Sequence, residues 1–214
     1  MIAANAGREV RLGDGTRVLI RPIRPDDREL VRAGFERLSP ESRYRRFLTP
    51  MPKLTDQQLA YLTDVDHHDH EAMITVDPAT GEGVGISRFV RDAERPGTAE
   101  AAVTVIDECQ GRGLGTALLT ALTERARKEG IDRFTCLVLA ENREMLELLE
   151  RLGPVREVDR HPGTVELAVD IPPPEEGIGS QLAQLLRTAA SGVAGFVADR
   201  TGVGPGASRR EGGE

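Results

Sequence analysis

Three alternating glycines, Gly111, Gly113 and Gly115, precede an apolar helical segment in the stretch CQGRGLGTALLTAL. Glycine weakens helices and strands, so three glycines at such a boundary indicate a backbone requirement. The first N–H groups of a helix lack partners within the helix and lie at the positive end of its dipole. Where no Cβ atoms intervene, these groups can converge on one anion. We therefore predict a phosphate or pyrophosphate site, with Arg112 adding positive charge at its rim.

Two other phosphate-binding motifs do not fit this turn. A P-loop requires GxxxxGK followed by Ser or Thr, and no lysine follows these glycines. A dinucleotide fingerprint GxGxxG opens the first strand–helix–strand unit of its fold, whereas this turn lies late in the chain and lacks that spacing. The remaining alternative is a tight turn that binds nothing, which leaves the conformational cost of three glycines unexplained.

Glu100 is the acidic residue in the apolar stretch TAEAAVTVI, which leads into the glycine turn. Its alanine and valine neighbours predict a desolvated carboxylate, a state suited to general-base work near neutral pH. We therefore predict that Glu100 is a catalytic base. The alternative is a surface glutamate at a sheet edge.

Other reactive side chains have weaker patterns. The loop DVDHHDHEA contains three histidines, but neighbours on one loop rarely converge as metal ligands, so we predict a polar loop and no metal. Arg43 and Arg46 share a helix face, for which a solvated surface is favoured over attraction of acidic partners or a phosphate. Cys109 has no patterned histidine beside it, so we do not expect a cysteine nucleophile.

The composition narrows the class of protein. The chain has 214 residues, a net charge of −7 and 3% aromatic residues, which argues against nucleic-acid binding by basic patches or base stacking. No apolar run is long enough to span a membrane, and the first residues contain no apolar signal region. Two cysteines without a CxxC motif are typical of a reduced chain, so we expect a cytoplasmic protein.

The hydrophobic periodicities predict one mixed α/β domain over residues 1–171. A hairpin around Gly13–Gly15 precedes three helices that begin near Asp26, Ser39 and Thr55. From residue 70 onward, strand patterns alternate with two helical patterns. Beyond this domain we predict a proline-rich linker at 172–177, an amphipathic helix at 178–198 and a disordered tail at 199–214. The oligomeric state is left open between monomer and homodimer.

The stretch Gln110–Gly115 fits the pattern [QR]-x-x-G-x-[GA] of the GNAT acyltransferases. The resemblance covers about residues 16–171 and implies the α+β GNAT fold, a mixed sheet with a splayed strand pair. In that family this turn holds the pyrophosphate of acetyl-CoA through backbone amides, and the preceding strand contacts the pantetheine arm. Asn142 stands where the family places a cofactor-contacting asparagine.

The resemblance therefore implies a set of acetyl-CoA contacts along one strand, one turn and two helix starts. These residues are Val103, Val105, Gln110, Gly111, Arg112, Gly113, Leu114, Gly115, Thr116 and Asn142. Thr116 is expected to cap the following helix. A backbone N–H near Val103 to Val105 is expected to polarise the thioester oxygen, with Val105 preferred and Ile106 and Asp107 next.

The order IRPIRPDD, LSPESRYRRFL, GISRFVRD, AEAAVTVID, QGRGLG resembles the catalytic domain of bacterial Pat-type protein lysine acetyltransferases. This implies direct acetyl transfer in a ternary complex to a protein such as an acyl-CoA synthetase, with Glu100 as base and His70 near the acceptor. Many GNAT enzymes place a tyrosine acid where this chain has Leu149, so the group that protonates the thiolate is open. The alternatives are a small-amine acetyltransferase and a non-catalytic acyl-CoA-binding module.

Overall fold

A computed structural model describes residues 7–172. The strands are β1 Arg8–Arg11, β2 Arg17–Pro22, β3 His70–Val76, β4 Gly83–Arg91, β5 Thr98–Val105, β6 Arg133–Leu139, β7 Val155–His161 and β8 Thr164–Asp170. The helices are α1 Arg28–Glu36, α2 Pro40–Phe47, α3 Asp56–Thr63, α4 Leu114–Lys128 and α5 Arg143–Leu152. The predicted linker beyond residue 172, the helix at 178–198 and the tail at 199–214 lie outside the described residues.

The eight strands form one sheet in the order β1-β2-β3-β4-β5-β6-β8-β7. Every neighbouring pair is antiparallel except β5 and β6, which are parallel. The predicted mixed α/β architecture is therefore confirmed. The one parallel pair requires a crossover connection, and α4 provides it.

The starts of the helices follow the local sequence. Ser39 accepts a hydrogen bond from the Ser42 N–H at 3.1 Å, and Thr55 forms a capping box with Gln58. These side chains satisfy N–H groups that lack partners at a helix start, so α2 and α3 begin where the sequence predicts. At α4 the prediction was wrong, because Gly113 is the N-cap and Thr116 is the third helical residue.

The sheet carries helices on both faces. Helices α1 and α2 contact β4 and β5 on one face, whereas α4 contacts β3, β4 and β5 on the other. On the α4 face, Leu114, Leu118 and Leu122 are buried against the sheet, as their helical spacing predicts. This packing holds the N-terminus of α4, and with it the glycine turn, beside the end of β5. Within residues 7–172 we find no helix with the length and apolar character needed to cross a membrane.

Candidate active site

The parallel strands β5 and β6 separate along their length. They pair at three positions only, Thr98 with Arg133, Ala99 with Phe134 and Glu100 with Thr135. Beyond Glu100 the two strands diverge, and a cleft of about 640 Å³ opens between them. Its walls come from α2, β5, the glycine turn, β6 and α5. This volume lies in the range of small-molecule sites.

The backbone of β5 presents donors to this gap. Ile106 donates its N–H to the Val84 carbonyl on β4, at 3.1 Å. Because successive strand residues direct their backbone groups to alternate sides, the N–H groups of Val103 and Val105 point away from β4, into the gap. Val103 and Val105 are therefore available to a ligand, whereas the Ile106 N–H, an expected alternative, is already used.

The glycines of the turn have two different physical roles. Gly111 and Gly113 have φ angles of 72° and 86°, and no atom lies within 4 Å of the position a Cβ would take. Their requirement is conformational, since L side chains rarely adopt such angles. Gly115 lies inside α4, and a Cβ there would meet Leu148 of α5 at 3.1 Å. Gly115 therefore has a packing requirement in addition to its place in the wall of the cleft.

Three side chains of the turn already have partners within the protein. Gln110 donates through Nε2 to the Val105 carbonyl at 3.0 Å and to Ser42 Oγ at 3.3 Å. Arg112 is exposed and pairs with Asp14 at 3.4 Å. Leu114 is buried in the core. The backbone N–H groups of the turn and of the α4 start therefore remain as the donors for an anion.

Glu100 lies where β5 and β6 diverge, and its side chain lines the cleft. It is exposed, so the predicted burial among alanine and valine is wrong. The reason is strand alternation, because Ala99 and Ala101 point to the buried face while Glu100 points to the opposite one. An exposed carboxylate in a cleft can exchange a proton with a ligand and with solvent.

Two arginines, Arg46 and Arg88, lie near Glu100, and Arg88 in turn contacts Tyr61 and His70. Arg88 lies over the ring of Tyr61 at 4.5 Å, and its Nη2 donates to His70 Nε2. Arg46 lines the cleft beside Glu100, although its face of α2 was expected to be solvated. The expectation was wrong because the packing of α2 places Arg46 over β5 and β6, and the local sequence does not reveal this packing.

Burial changes the ionisation of this group of side chains. Burial, together with the positive charge of Arg88, lowers the pKa of Arg46 to about 10. The same two causes lower the pKa of His70 to about 4. Burial also lowers the pKa of Arg88. At neutral pH both arginines are cations and His70 is neutral, so its Nε2 can accept the hydrogen bond from Arg88.

The two other histidines of this loop, His67 and His68, each contact a different glutamate. His67 Nδ1 lies 2.7 Å from Glu71, and His68 Nδ1 lies 2.5 Å from Glu129. Among residues 7–172, no three His, Cys, Asp or Glu side chains form a group that could hold a metal ion.

The far wall of the cleft is formed by the start of α5. Asn142 lines the cleft, and its Oδ1 accepts a hydrogen bond from the Met145 N–H at 3.2 Å, which leaves its amide NH₂ group for other contacts. Leu149 is completely buried, so this position presents no acid to the cleft. Cys109 also lines the cleft, and burial raises the pKa of its thiol.

The fold and the cleft together define a class of protein. A splayed parallel strand pair, with a glycine turn at the next helix start, is the arrangement that the GNAT resemblance implied. The family model described as an acetyltransferase (GNAT) domain matches residues 17–155. The chain belongs to the GNAT acetyltransferase family, whose members use acetyl-CoA, and this domain is an N-acetyltransferase domain.

Within this family, the chain is similar to individual bacterial acetyltransferases. The chain is 38% identical to acetyltransferase Pat of Mycolicibacterium smegmatis over 77% of its own length and 49% of that protein, so it spans about half of this relative. It is 39% identical to an acetyltransferase of Pseudomonas aeruginosa, over 69% of this chain and 80% of that one. The crystal structure of the GNAT domain of S. lividans PAT superposes with a TM-score of 0.72 at 32% identity, covering 77% of this chain and 97% of that one.

Proposed function

We propose that this chain transfers an acetyl group from acetyl-CoA to the side-chain amine of a protein lysine, by direct attack within a ternary complex. One observation carries this proposal. Glu100 lies at the point where β5 and β6 diverge, and the glycine turn lies at the other end of the same cleft. A single ligand in the cleft can therefore reach both a carboxylate and an anion-binding helix start.

The cleft has the donors that acetyl-CoA requires. The backbone N–H groups of Gly111, Gly113 and the α4 start hold the pyrophosphate, since the positive φ angles of both glycines open the turn without a Cβ. The N–H groups of Val103 and Val105 bind the pantetheine arm and the thioester oxygen. Asn142 supports the arm from the opposite wall through its free amide group.

Glu100 takes the proton that the lysine ammonium must lose before its nitrogen can attack. A C–N bond then forms at the thioester carbon and the C–S bond breaks, while the Val105 N–H stabilises the charge that develops on the oxygen. As the amide forms, the attacking nitrogen loses a second proton to water. Since Leu149 supplies no proton, the sulfur leaves as a thiolate or takes a proton from water. A thiol pKa of about 8.5 permits both.

The acceptor assignment is supported by the resemblance of the motif order to Pat-type protein lysine acetyltransferases and by the similarity to acetyltransferase Pat. Tyr61 is 58% exposed and contacts Arg88, so this group of side chains reaches the surface that a protein segment can approach. We infer a cytoplasmic reaction, because acetyl-CoA is an intracellular metabolite and the two cysteines are unpaired. An acyl-CoA synthetase is the acceptor that the Pat-type resemblance favours.

This proposal is tested by incubating the protein with isotopically labelled acetyl-CoA and a bacterial lysate, beside a Glu100→Gln variant. We expect label on discrete proteins, located on lysine side chains by tandem mass spectrometry, and its loss in the variant. Label on small amines alone would instead assign a small-amine acetyltransferase. If CoA binds and nothing is labelled, the chain is a binding module without turnover.

A further inference from the structure

Arg46 differs from the two other arginines of the RYRRF segment on α2. Arg43 donates to the carbonyls of Glu36 and Pro52, at 3.0 and 2.9 Å. Arg45 pairs with Glu41 at 2.6 Å and with a second glutamate on α5. Within residues 7–172, the Arg46 guanidinium makes neither a side-chain hydrogen bond nor an ion pair, although it lies partly buried beside the cleft.

Arg88 on β4 is a second buried cation without a carboxylate. Only 6% of the residue is exposed, and its contacts are the neutral His70 ring and the face of Tyr61. No carboxylate of the described residues lies within 4 Å of its guanidinium. A buried charge with no ionic partner destabilises a fold, so two such arginines side by side require an explanation.

The two arginines lie on the same face of the sheet as Glu100. Glu100 is opposite Val90 in the β4–β5 register, and Arg88 is opposite Ala102, the next residue of β5 on that face. Arg46 comes from α2, which covers this part of β5. Arg46 lines the cleft together with Glu100, and Arg46 and Arg88 both line a smaller adjoining cavity. Near the expected reaction centre there are therefore two cations and one carboxylate, an excess of one positive charge.

This excess charge lies at the acceptor end of the cleft and far from the phosphate-binding end. Arg88 is opposite Ala102, three strand residues or about 10 Å before Val105, and the glycine turn lies beyond Val105. The pyrophosphate site therefore does not supply the missing anion. Tyr61, whose ring Arg88 contacts, is 58% exposed, so this group of side chains reaches the protein surface.

We propose that Arg46 and Arg88 form a carboxylate-binding subsite for the acceptor, beside the amine that approaches Glu100. This inference rests on the proposed acetyl transfer and adds a substrate class to it. Guanidinium groups bind carboxylates through two parallel hydrogen bonds, which fixes orientation as well as charge. The carboxylate is an aspartate or glutamate next to the target lysine, or the α-carboxylate of a free amino acid.

Measurements of ligand affinity in the presence of CoA test the subsite. Because CoA carries no acetyl group, no turnover occurs during the measurement. The first arm uses lysine peptides with glutamate at each neighbouring position, each compared with its glutamine counterpart. The second arm compares L-lysine with L-lysinamide. Both arms use the wild-type protein and the variants Arg46→Gln, Arg46→Lys and Arg45→Gln. Arg45→Gln removes a cation from the same helix that already has carboxylate partners.

We expect at least one carboxylate ligand to bind the wild-type protein about ten-fold more tightly than its uncharged counterpart, as for a charge-assisted hydrogen bond. Arg46→Gln abolishes this preference, Arg46→Lys keeps part of it, and Arg45→Gln keeps it. A preference in the peptide arm assigns the carboxylate to a protein acceptor, and one in the lysine arm assigns it to an amino acid. Because Arg46 has no ionic partner, its loss should not unfold the protein.

Two results overturn the subsite. One is equal binding of every charged and uncharged pair by the wild-type protein. The other is a preference that survives Arg46→Gln. If the carboxylate preference is present and depends on Arg46 while no acceptor is acetylated, the subsite stands and the proposed acetyl transfer fails.

Discussion

Nε2 of Gln110 lies 3.0 Å from the carbonyl oxygen of Val105 and donates a hydrogen bond to it. The carbonyl belongs to the end of β5 and points to the gap between β5 and β6. Gln110 thereby ties the splayed strand to the glycine turn, and its second contact, Ser42 Oγ, extends the link to α2. The side chain of the motif glutamine thus positions the backbone donors of the strand and the turn.

We predict that Gln110→Ala weakens acetyl-CoA binding by about three- to ten-fold, the effect of losing one hydrogen bond worth about 1 kcal/mol. Stability should change little because the side chain is exposed. Isothermal titration with CoA measures the effect. Gln57→Ala, an exposed glutamine on α3, is the matched control and should bind CoA as the wild-type protein does. Equal affinity in both variants would contradict the positioning role.

Gly113→Ala should cost about 1–2 kcal/mol of stability, because alanine is strained in the left-handed region. Gly130→Ala is the matched control, since Gly130 has a φ of 74°, open space around its Cβ position and a place at the other end of α4. Urea unfolding should show similar losses for both variants. CoA affinity should fall only for Gly113→Ala. A parallel loss of affinity in Gly130→Ala would show that general destabilisation is the cause.

The lowered pKa of His70 predicts that the stability of the protein depends on pH. Burial and the charge of Arg88 lower the pKa of His70 to about 4 in the folded protein, against about 6.5 in the unfolded chain. Between these values the unfolded chain binds the additional proton, so stability falls as the pH falls from about 6.5 to 4. The half-buried ring is screened by solvent, and we expect a contribution of about 1–2 kcal/mol.

Urea unfolding of the wild-type protein and His70→Gln, measured in steps from pH 7 to pH 4.5, checks this dependence. The loss of stability on acidification should be smaller in the variant, since glutamine can accept the Arg88 hydrogen bond and does not titrate. Identical slopes for the two proteins would contradict a buried neutral histidine. Acid effects on other groups are common to both and cancel in the difference.

Cys109 should not carry the acetyl group. Burial raises the pKa of this thiol, although Arg112 and Arg37 oppose the effect, so little thiolate is present at neutral pH. We expect Cys109→Ser to retain acetyl transfer within about two-fold, the range of a substitution away from key contacts. Intact-mass spectrometry after incubation with acetyl-CoA alone should detect no acetyl adduct on this residue. A stable adduct on Cys109 that precedes transfer would replace direct attack.

Local sequence signals predicted much of the fold. Ser39 and Thr55 begin helices because their hydroxyls bond nearby backbone N–H groups, a requirement that short stretches of sequence contain. The helical spacing of Leu118 and Leu122 likewise predicted the buried face of α4. The C-terminal predictions beyond residue 172 remain predictions.

The arrangement of side chains in the candidate site could not be predicted from the sequence, because it results from tertiary packing. Glu100 was located correctly on its strand, but apolar neighbours did not reveal which face is open, because alternate residues of one strand face opposite sides. The helical spacing of Arg43 and Arg46 predicted a solvated face, whereas the packing of α2 over β5 places Arg46 in the wall of the cleft. The contacts among Tyr61, His70 and Arg88 join α3, β3 and β4, and no sequence spacing relates them.

Glu100→Gln, with CoA affinity and acetylation rate measured on the same preparation, tests the central claim most directly. The variant has the same size and cannot accept a proton, while the donors of the glycine turn and β5 are untouched. We predict an unchanged Kd for CoA and a rate of lysine acetylation lower by about 10²- to 10⁴-fold, the usual contribution of a general base. A variant that acetylates lysine at the wild-type rate would contradict Glu100 as the base and, with it, this account of the cleft.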